Sequence, residues 1–557
     1  MTRRGNRLVP TLALLIAAAC LLPMLAVAVA AAMGTLDIVA QLANTVLWRY
    51  TYTTLILVVL VGVGTAMIGT GAAWLVTMTR FPGVRVLEIA LALPLAFPAY
   101  VLAYAYTDLL DHPGAVQTGL RAITGWGPRD YWFPEIRSVG GAALMLTLVL
   151  YPYVYLLVRA AFLQQSGTAY LAARALGQSA WGAFWRVSLP VARPAIAGGA
   201  LLAIMETIAD FGTVSFFGVQ TFATGIYVSW IGVGDRAAAA QLALCLLLFA
   251  LLLAMLERSQ RGEARHHNTG KRFETVPEIT LHGRAAWLST GLCAVPVLLG
   301  FVLPVALLIE LGIGSEQDLT SRRYVGFIRN SLTLAGTACL VTGAAAITLA
   351  LYHRLAQSRL SSTATYIARI GYAVPGGVIA VGLMVPFARL DNAIDAFSEA
   401  RLGIDTGLLF TGSIWVLVIA YMVRFLAAAL NTYDSGLAVV HPNMDAVART
   451  LGAAPVTMLR RVHLPILTPS LLTALLIVFV DVMKELPATL IMRPFNYDTL
   501  AVQAHRLASD ERLEGAAVPS LVIVAVGLLP VILICRQVGL RSKTARRNTP
   551  APSPAEV

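Results

Sequence analysis

Four carboxylates stand where an oily chain can least tolerate them. Glu206 and Asp210 lie four residues apart, and so do Asp481 and Glu485. The apolar runs that hold them, 195–217 and 470–492, are long enough to cross a bilayer, which takes about 20 residues. An ionisable group in such a run costs about 3 kcal/mol on insertion scales, so it is a functional hypothesis by default. Residues four apart share one helix face, so each pair is expected to present its two acids together. Clustered carboxylates suit a hard, highly charged cation, provided they bind weakly enough to let it leave. The alternative is structural: the acids pair with arginine or with Lys484 and hold helices in place, or close an outer gate. Direct ligation of an ion is a narrower case of the path-lining reading, and no resident metal site is expected.

The rest of the chain explains why these acids are conspicuous. Of 557 residues, 58% are hydrophobic and only 13% charged, where soluble domains carry about 25%. The fold class is therefore an all-α polytopic membrane protein. The net charge of +12 is read as basic cytoplasmic loops rather than nucleic-acid binding. Apolar stretches fall near 8–33, 53–77, 86–110, 139–163, 195–217 and 237–256. A second set falls near 285–312, 328–352, 366–388, 408–430, 470–492 and 515–535. This predicts about 12 transmembrane helices as two tandem six-helix halves, 1–256 and 285–536. A cytoplasmic linker, 257–284, joins them, and a basic tail, 537–557, is expected to be disordered. Arginines in the N-terminus, the linker, the tail and the loops after alternate spans all fall on one side, so both termini are placed in the cytoplasm. The loop 111–138 then faces the other side. The N-terminal apolar run is read as a retained first helix rather than a cleaved signal peptide. The five cysteines are scattered in apolar runs without CxxC spacing, which argues against a disulfide framework or metal cluster.

The chain repeats itself. ARALGQSAWGAFWRVSLPVARP (173–194) and ARTLGAAPVTMLRRVHLPILTP (448–469) share nine of 22 positions at an offset of 275 residues. The same offset pairs Glu206 with Asp481, Asp210 with Glu485, Thr224 with Thr499 and Asp235 with Asp510. Because each half has an even number of spans, the halves point the same way, as parallel repeats. Within the first copy, 170–176 favour helix and Gly177 breaks it. Ser179 is placed to cap a second short helix, which Pro190 is expected to end before Pro194 restarts the chain. The product is a helix-turn-helix projection with Trp181, Phe184 and Trp185 at its tip, answered by Val456, Leu459 and Arg460 in the second copy. Such a projection either docks on a partner or lies on lipid as an interfacial helix.

The 13-residue spacing from Gly177 to Pro190, with an Ala-rich lead-in and a Leu-Pro close, resembles the EAA loop of ABC importer permeases. Both copies keep the glycine and the Leu-Pro; the leading glutamate of the pattern is Leu171 in one and Ala446 in the other. The resemblance implies a type I ABC importer permease fold, with loops near 170–194 and 445–469 docking on two copies of a cytoplasmic ABC ATPase subunit. The coupling positions it implies are Ala173, Arg174, Gly177, Trp181, Phe184, Leu189 and Pro190, and Ala448, Arg449, Gly452, Leu459, Leu464 and Pro465. The chain has no GxxxxGK[ST], so ATP and Mg belong to the separate ATPase subunit and no cofactor is expected here. The protein is not expected to be an enzyme: no nucleophile-base pair supports one.

The runs 205–230, 234–243 and 484–502 look like the fused ferric iron permeases. That likeness implies a bacterial inner-membrane protein that imports Fe3+ delivered by a periplasmic binding protein, with Glu206, Asp210, Asp481 and Glu485 along the path. Permeases for thiamine and phosphonates resemble this layout too, and a polyamine would also suit acid-lined helices. A secondary transporter can have twelve helices in parallel halves but needs no docking loop. Tyr227, His505 and Asp510 are placed on the outer side, where they could meet the binding protein. His266, His267, His353 and His463 are read as polar loop residues.

Overall fold

Apolar runs of membrane length become helices because the bilayer leaves no other way to satisfy the backbone. The computed structural model describes residues 8–164, 172–264, 279–315, 317–318, 320–437, 440, 442–452 and 455–547. Among them, 11 helices are long and apolar enough to span a membrane, and a bent pair brings the number to 12 if it counts as one span. The first half contributes Leu8–Ala32, Asp37–Met78, the bent pair, Val139–Leu163, Trp181–Ala209 and Arg236–Glu257. The second contributes Gly283–Gly314, Arg322–Ala356, Gly376–Leu402, Trp415–Asp434, Leu459–Met483 and Leu513–Leu533. The alternation puts the two repeated segments on one face, and residues 111–138 and 509–512 on the other.

Several boundaries differ from the expectations. The run near 86–110 is two pieces, Val84–Ala96 and Ala99–Thr124, bent by 95°. Pro98 causes the break: it lacks an N–H and keeps Phe97 extended, at ψ 134°. Pro375 starts Gly376–Leu402 in the same way, so that span lies some ten residues later than read from hydropathy. Pro190 does not end the short helix after the Gly177 turn. Ala180–Ala183, a π-helical turn Phe184–Ser188 and Leu189–Ala209 run on without a gap, and Leu459–His463 repeats the π turn before Leu464–Met483. A widened π turn removes the clash between the proline ring and the preceding carbonyls, so the helix absorbs the proline. Residues 537–547 are not disordered as expected: the last helix continues to Arg547, since Arg, Lys and Ala are good helix formers. Residues 548–557 lie outside the described residues, as do 265–278 of the linker with His266 and His267. Just beyond, Ile279–Thr280 pair in parallel with Thr79–Arg80, tying the start of the second half to the first.

The halves are interlocked. Leu8–Ala32 packs on Gly376–Leu402, Arg322–Ala356 and Arg359–Ile370 of the second half, as well as on Arg236–Ala264 of its own. Reciprocally, Gly283–Val297 packs on Trp48–Met78 and Val84–Ala90 of the first half, and Tyr106 donates to the Leu299 carbonyl at 2.7 Å. Lipid tails are as apolar as leucine, so such contacts depend on close packing rather than on expelling water. Gly382 illustrates it: a Cβ there would sit 2.3 Å from the Pro23 carbonyl oxygen.

Candidate functional site

The repeated segment is built on a left-handed glycine. Gly177 has φ +83°, and its counterpart Gly452 has φ +75°. At Gly177 the preceding helix closes as a Schellman motif: Gln178 N donates to the Ala173 carbonyl and Gly177 N to that of Arg174, both at 3.1 Å. Arg174 donates to the Gln178 carbonyl and Arg186 to its side-chain oxygen, at 2.8 and 3.0 Å, so these arginines lock the turn. Ser179 Oγ then accepts from Gly182 N at 3.0 Å and caps the next helix. Trp181 (58% exposed) and Trp185 are exposed at the tip, with their rings packed on Phe184 and on each other, but Phe184 is only 6% exposed. It turns inward against Trp74, at 4.9 Å between ring centroids, so it supports the projection rather than forming its surface. Leu176 and Leu451, identical between the copies, are 82% and 81% exposed. Both stand beside the left-handed glycines, so the repeat places an exposed leucine at each turn.

The other positions expected to couple are mostly less exposed. Ala173, Leu189, Pro190, Leu459 and Leu464 are half-buried, Ala448 is buried and Pro465 exposed. Leu171 and the side chains of Ala446, Arg449 and Val456 lie outside what is described. The second copy has an anchor that the sequence did not reveal. Asp445 accepts from His463 Nε2 at 2.8 Å and from Arg354 Nε, fastening the segment to the end of Arg322–Ala356. Burial raises the Asp445 carboxyl, but the hydrogen bonds from His463 and Arg354 outweigh it and hold it below the usual carboxylate range. His463, read as a polar loop residue, is 1% exposed: a polar side chain is buried when it has a partner.

Nearby, each half carries an ion pair at the repeat-equivalent positions 159 and 434, with the signs exchanged: Arg159–Glu88 in the first, Asp434–Arg369 in the second. Arg159 is nearly fully buried, so removing its partner leaves an uncompensated charge. Glu88→Ala is expected to lower the melting temperature in detergent, and Glu88→Ala with Arg159→Met to recover most of it. A thermal melt series checks both.

The four carboxylates converge on one cavity between the halves. It has a volume of about 120 Å³ and is lined by Tyr100, Tyr153, Glu206 and Asp210 from the first half, and by Tyr372, Arg424, Asp481, Lys484 and Glu485 from the second. At liquid density that is room for about four waters. Within each pair, however, the acids do not share a helix. Trp181–Ala209 ends before Asp210, and Leu464–Met483 ends before Glu485. Asp210 turns to cap Gly212–Phe216, accepting from Thr213 N and Val214 N at 3.1 Å. Glu485 caps Pro487–Met492, accepting from Ala488 N at 3.1 Å and Thr489 N at 3.2 Å. Their carboxylates thus sit at helix N-termini, where negative charge is favoured.

The other two acids have charged partners. Glu206 accepts from the Tyr372 hydroxyl at 2.9 Å and lies 3.9 Å from Arg424 across the halves. Asp481 pairs with Lys484 at 2.9 Å. Four acids against two bases leave the lining two charges negative when all six are ionised. Among the described residues no three acidic, His or Cys side chains group closely enough to hold a metal ion, so the lining offers paired and capping acids rather than a chelating cage. Of the residues expected to meet a partner outside, Asp510 is exposed. Tyr227 packs on Phe211, and His505 is buried and hydrogen-bonded to the Tyr104 hydroxyl at 2.8 Å.

Two stretches, residues 66–261 and 342–541, match the family model described as binding-protein-dependent transport system inner membrane component. The chain is 27% identical over 486 residues to the Fe(3+)-transport system permease protein FbpB 2 of Haemophilus influenzae, covering 86% of this chain and 88% of that protein. It is 23% identical over 499 residues to the ferric transport system permease protein FbpB of Actinobacillus pleuropneumoniae, covering 85% and 68% respectively. It is also 30% identical over 157 residues to the putative 2-aminoethylphosphonate transport system permease protein PhnV of Salmonella typhimurium, covering 28% of this chain and 53% of that one.

Proposed function

This chain belongs to the binding-protein-dependent transport system inner membrane components, and on that premise we propose that its cargo is ferric iron. It is a multi-pass inner-membrane permease, not of an enzyme family, and works with an ABC ATPase and a substrate-binding protein. In our reading the two repeated segments face the cytoplasm, as do both termini, and each docks on one of two ATPase copies. ATP and Mg are bound there, not on this chain. Closure of the ATPase pair rocks the interlocked halves and opens the central cavity alternately to each side.

The observation that carries the choice of cargo is the cavity lining, in which each half supplies two carboxylates and the net charge is negative. A hard trivalent cation is attracted to oxygen donors of that kind. Acids already engaged as caps and in ion pairs hold it loosely, as conduction requires. The extended likeness to ferric permeases agrees with this, whereas the phosphonate likeness covers a short part and an anion would meet a negative lining. Reconstituted with its ATPase and binding protein, the chain is expected to take up labelled ferric iron in an ATP-dependent manner. Thiamine, putrescine and 2-aminoethylphosphonate should accumulate at background. Uptake of any of these three without iron uptake would replace the assignment.

A further inference from the structure

On the face opposite the repeated segments, one arginine joins the two halves. Arg137, just before Val139–Gln164, donates from Nη1 and Nη2 to the two carboxylate oxygens of Glu511 at 2.8 and 2.9 Å. Its Nε donates to Asp111 at 3.0 Å, and its guanidinium lies 5.1 Å from the centroid of the Phe216 ring. Asp111 and Phe216 belong to the first half and aim the guanidinium; Glu511 belongs to the second and receives it. A bidentate arginine–carboxylate pair is geometrically demanding, so even a small displacement of one half breaks it.

Beneath this pair a chain of contacts leads to the central cavity. Phe216 packs on the edge of Tyr104 at 4.6 Å. Tyr104, from the first half, is hydrogen-bonded to His505 of the second. His505 meets the ring of Phe211 at 5.8 Å, and Phe211 lines the cavity beside Asp210. Aromatic rings from both halves therefore cover the cavity on this side, and the ion pair sits on top of them. Glu511 also holds a left-handed backbone, φ +58°, which costs about 1–2 kcal/mol for a residue with a side chain. In the first half the counterpart of Glu511 is Arg236, which opens the helix Arg236–Ala264; the left-handed residue of that turn is Gly234, two positions earlier, at φ +77°. A strained non-glycine residue persists only where its surroundings over-determine it.

We propose that Arg137 and Glu511 form a clasp that holds the outer mouth of the path shut over the Tyr104–His505 layer, and that admitting cargo requires this clasp to open. The Glu511 side chain is 61% exposed, so water and a docking partner can reach it. Exposed ion pairs add little to folding, which suits a contact made and broken in every cycle. The clasp rests on the transport reading above.

The test uses the permease assembled with its ATPase in sealed right-side-out membrane vesicles, so that added reagent meets only the outer face, carrying Ala209→Cys in the cavity wall and its native cysteines replaced. A membrane-impermeant thiol reagent is added and the labelling rate measured. Arg137→Ala and Glu511→Ala are each expected to speed labelling roughly fivefold, the factor that about 1 kcal/mol provides. The double variant is expected to be no faster than either single one, since both remove one contact. Glu511→Gly, which relieves the backbone and cannot be faulted for misfolding, should behave like Glu511→Ala. Unchanged labelling in these variants would overturn the clasp. So would acceleration by Arg137→Ala alone, which would make Arg137 a brace for its own loop. Labelling reads the mouth without reference to cargo or ATP, so a chain that transports nothing would fail the uptake assay and leave this result separate.

Discussion

Gly177→Val combined with Gly452→Val is expected to abolish ATP-driven uptake while leaving the chain inserted in the membrane. Both glycines are left-handed, at φ +83° and +75°, and nothing lies within 4 Å of where a Cβ would stand at either. The constraint is thus conformational rather than spatial. A side chain at such a φ costs about 1–2 kcal/mol, and a β-branched one is a genuine outlier there. The turn escapes that cost by continuing the preceding helix, which swings Leu176, Leu451 and the tryptophan tip away from their present directions. Misplacing interacting groups by about 1 Å can cost on the order of 100-fold in a catalysed step, and a loss of that size in coupled uptake is expected. Asparagine tolerates the left-handed region, so Gly177→Asn with Gly452→Asn should retain most of the activity. Reconstituted uptake and co-purification of the ATPase give the answer. Full uptake in the double valine variant would rule out the segments as the coupling surface.

Glu485→Ala is expected to be the most damaging single change in the cavity wall. Besides Ala488 N and Thr489 N, the Glu485 carboxylate accepts from the Thr489 hydroxyl at 2.9 Å, and the residue is 6% exposed. Truncation leaves these donors buried, at about 1–3 kcal/mol for each group left unpaired, and uncaps the helix Pro487–Met492 at the cavity wall. Both thermal stability and uptake should fall. Glu485→Gln keeps one acceptor oxygen but turns an amide NH2 toward either Ala488 N or the Thr489 donors, so it should lose less stability than the alanine variant while iron uptake drops by roughly tenfold. If the glutamine variant transports normally, the charge at 485 serves the fold alone, and the path-lining role passes to Glu206, Asp210 and Asp481. A melt and an uptake curve on the same preparations separate the two contributions.

The sequence by itself determined everything that depends on local composition or on the repeat. Apolar runs placed most of the spans, because crossing a bilayer demands a helix of set length. The 275-residue offset located the paired segments and both glycines, because a left-handed turn calls for the same residue in both copies. It also brought the four acids to a shared interface, through the symmetry that duplication imposes.

Tertiary structure decided the rest. Spacing of four suggested acids on one helix face, but the helices stop at Asp210 and Glu485, whose carboxylates bind the N–H groups of the next short helix. A break of this kind has no hydropathy signature. Lys484 chose Asp481 one turn back over its neighbour Glu485, and Glu206 found Tyr372 and Arg424 in the other half. Nor does a sequence say that the first helix of each half leans on the other half, or that Arg137 meets a residue 374 positions away. Asp510 and His505 stood out because they are polar and the repeat register marks Asp510, while Glu511 between the halves did not. Partners this far apart in the chain meet only once packing has set the distance between the helices, so no local pattern can encode them.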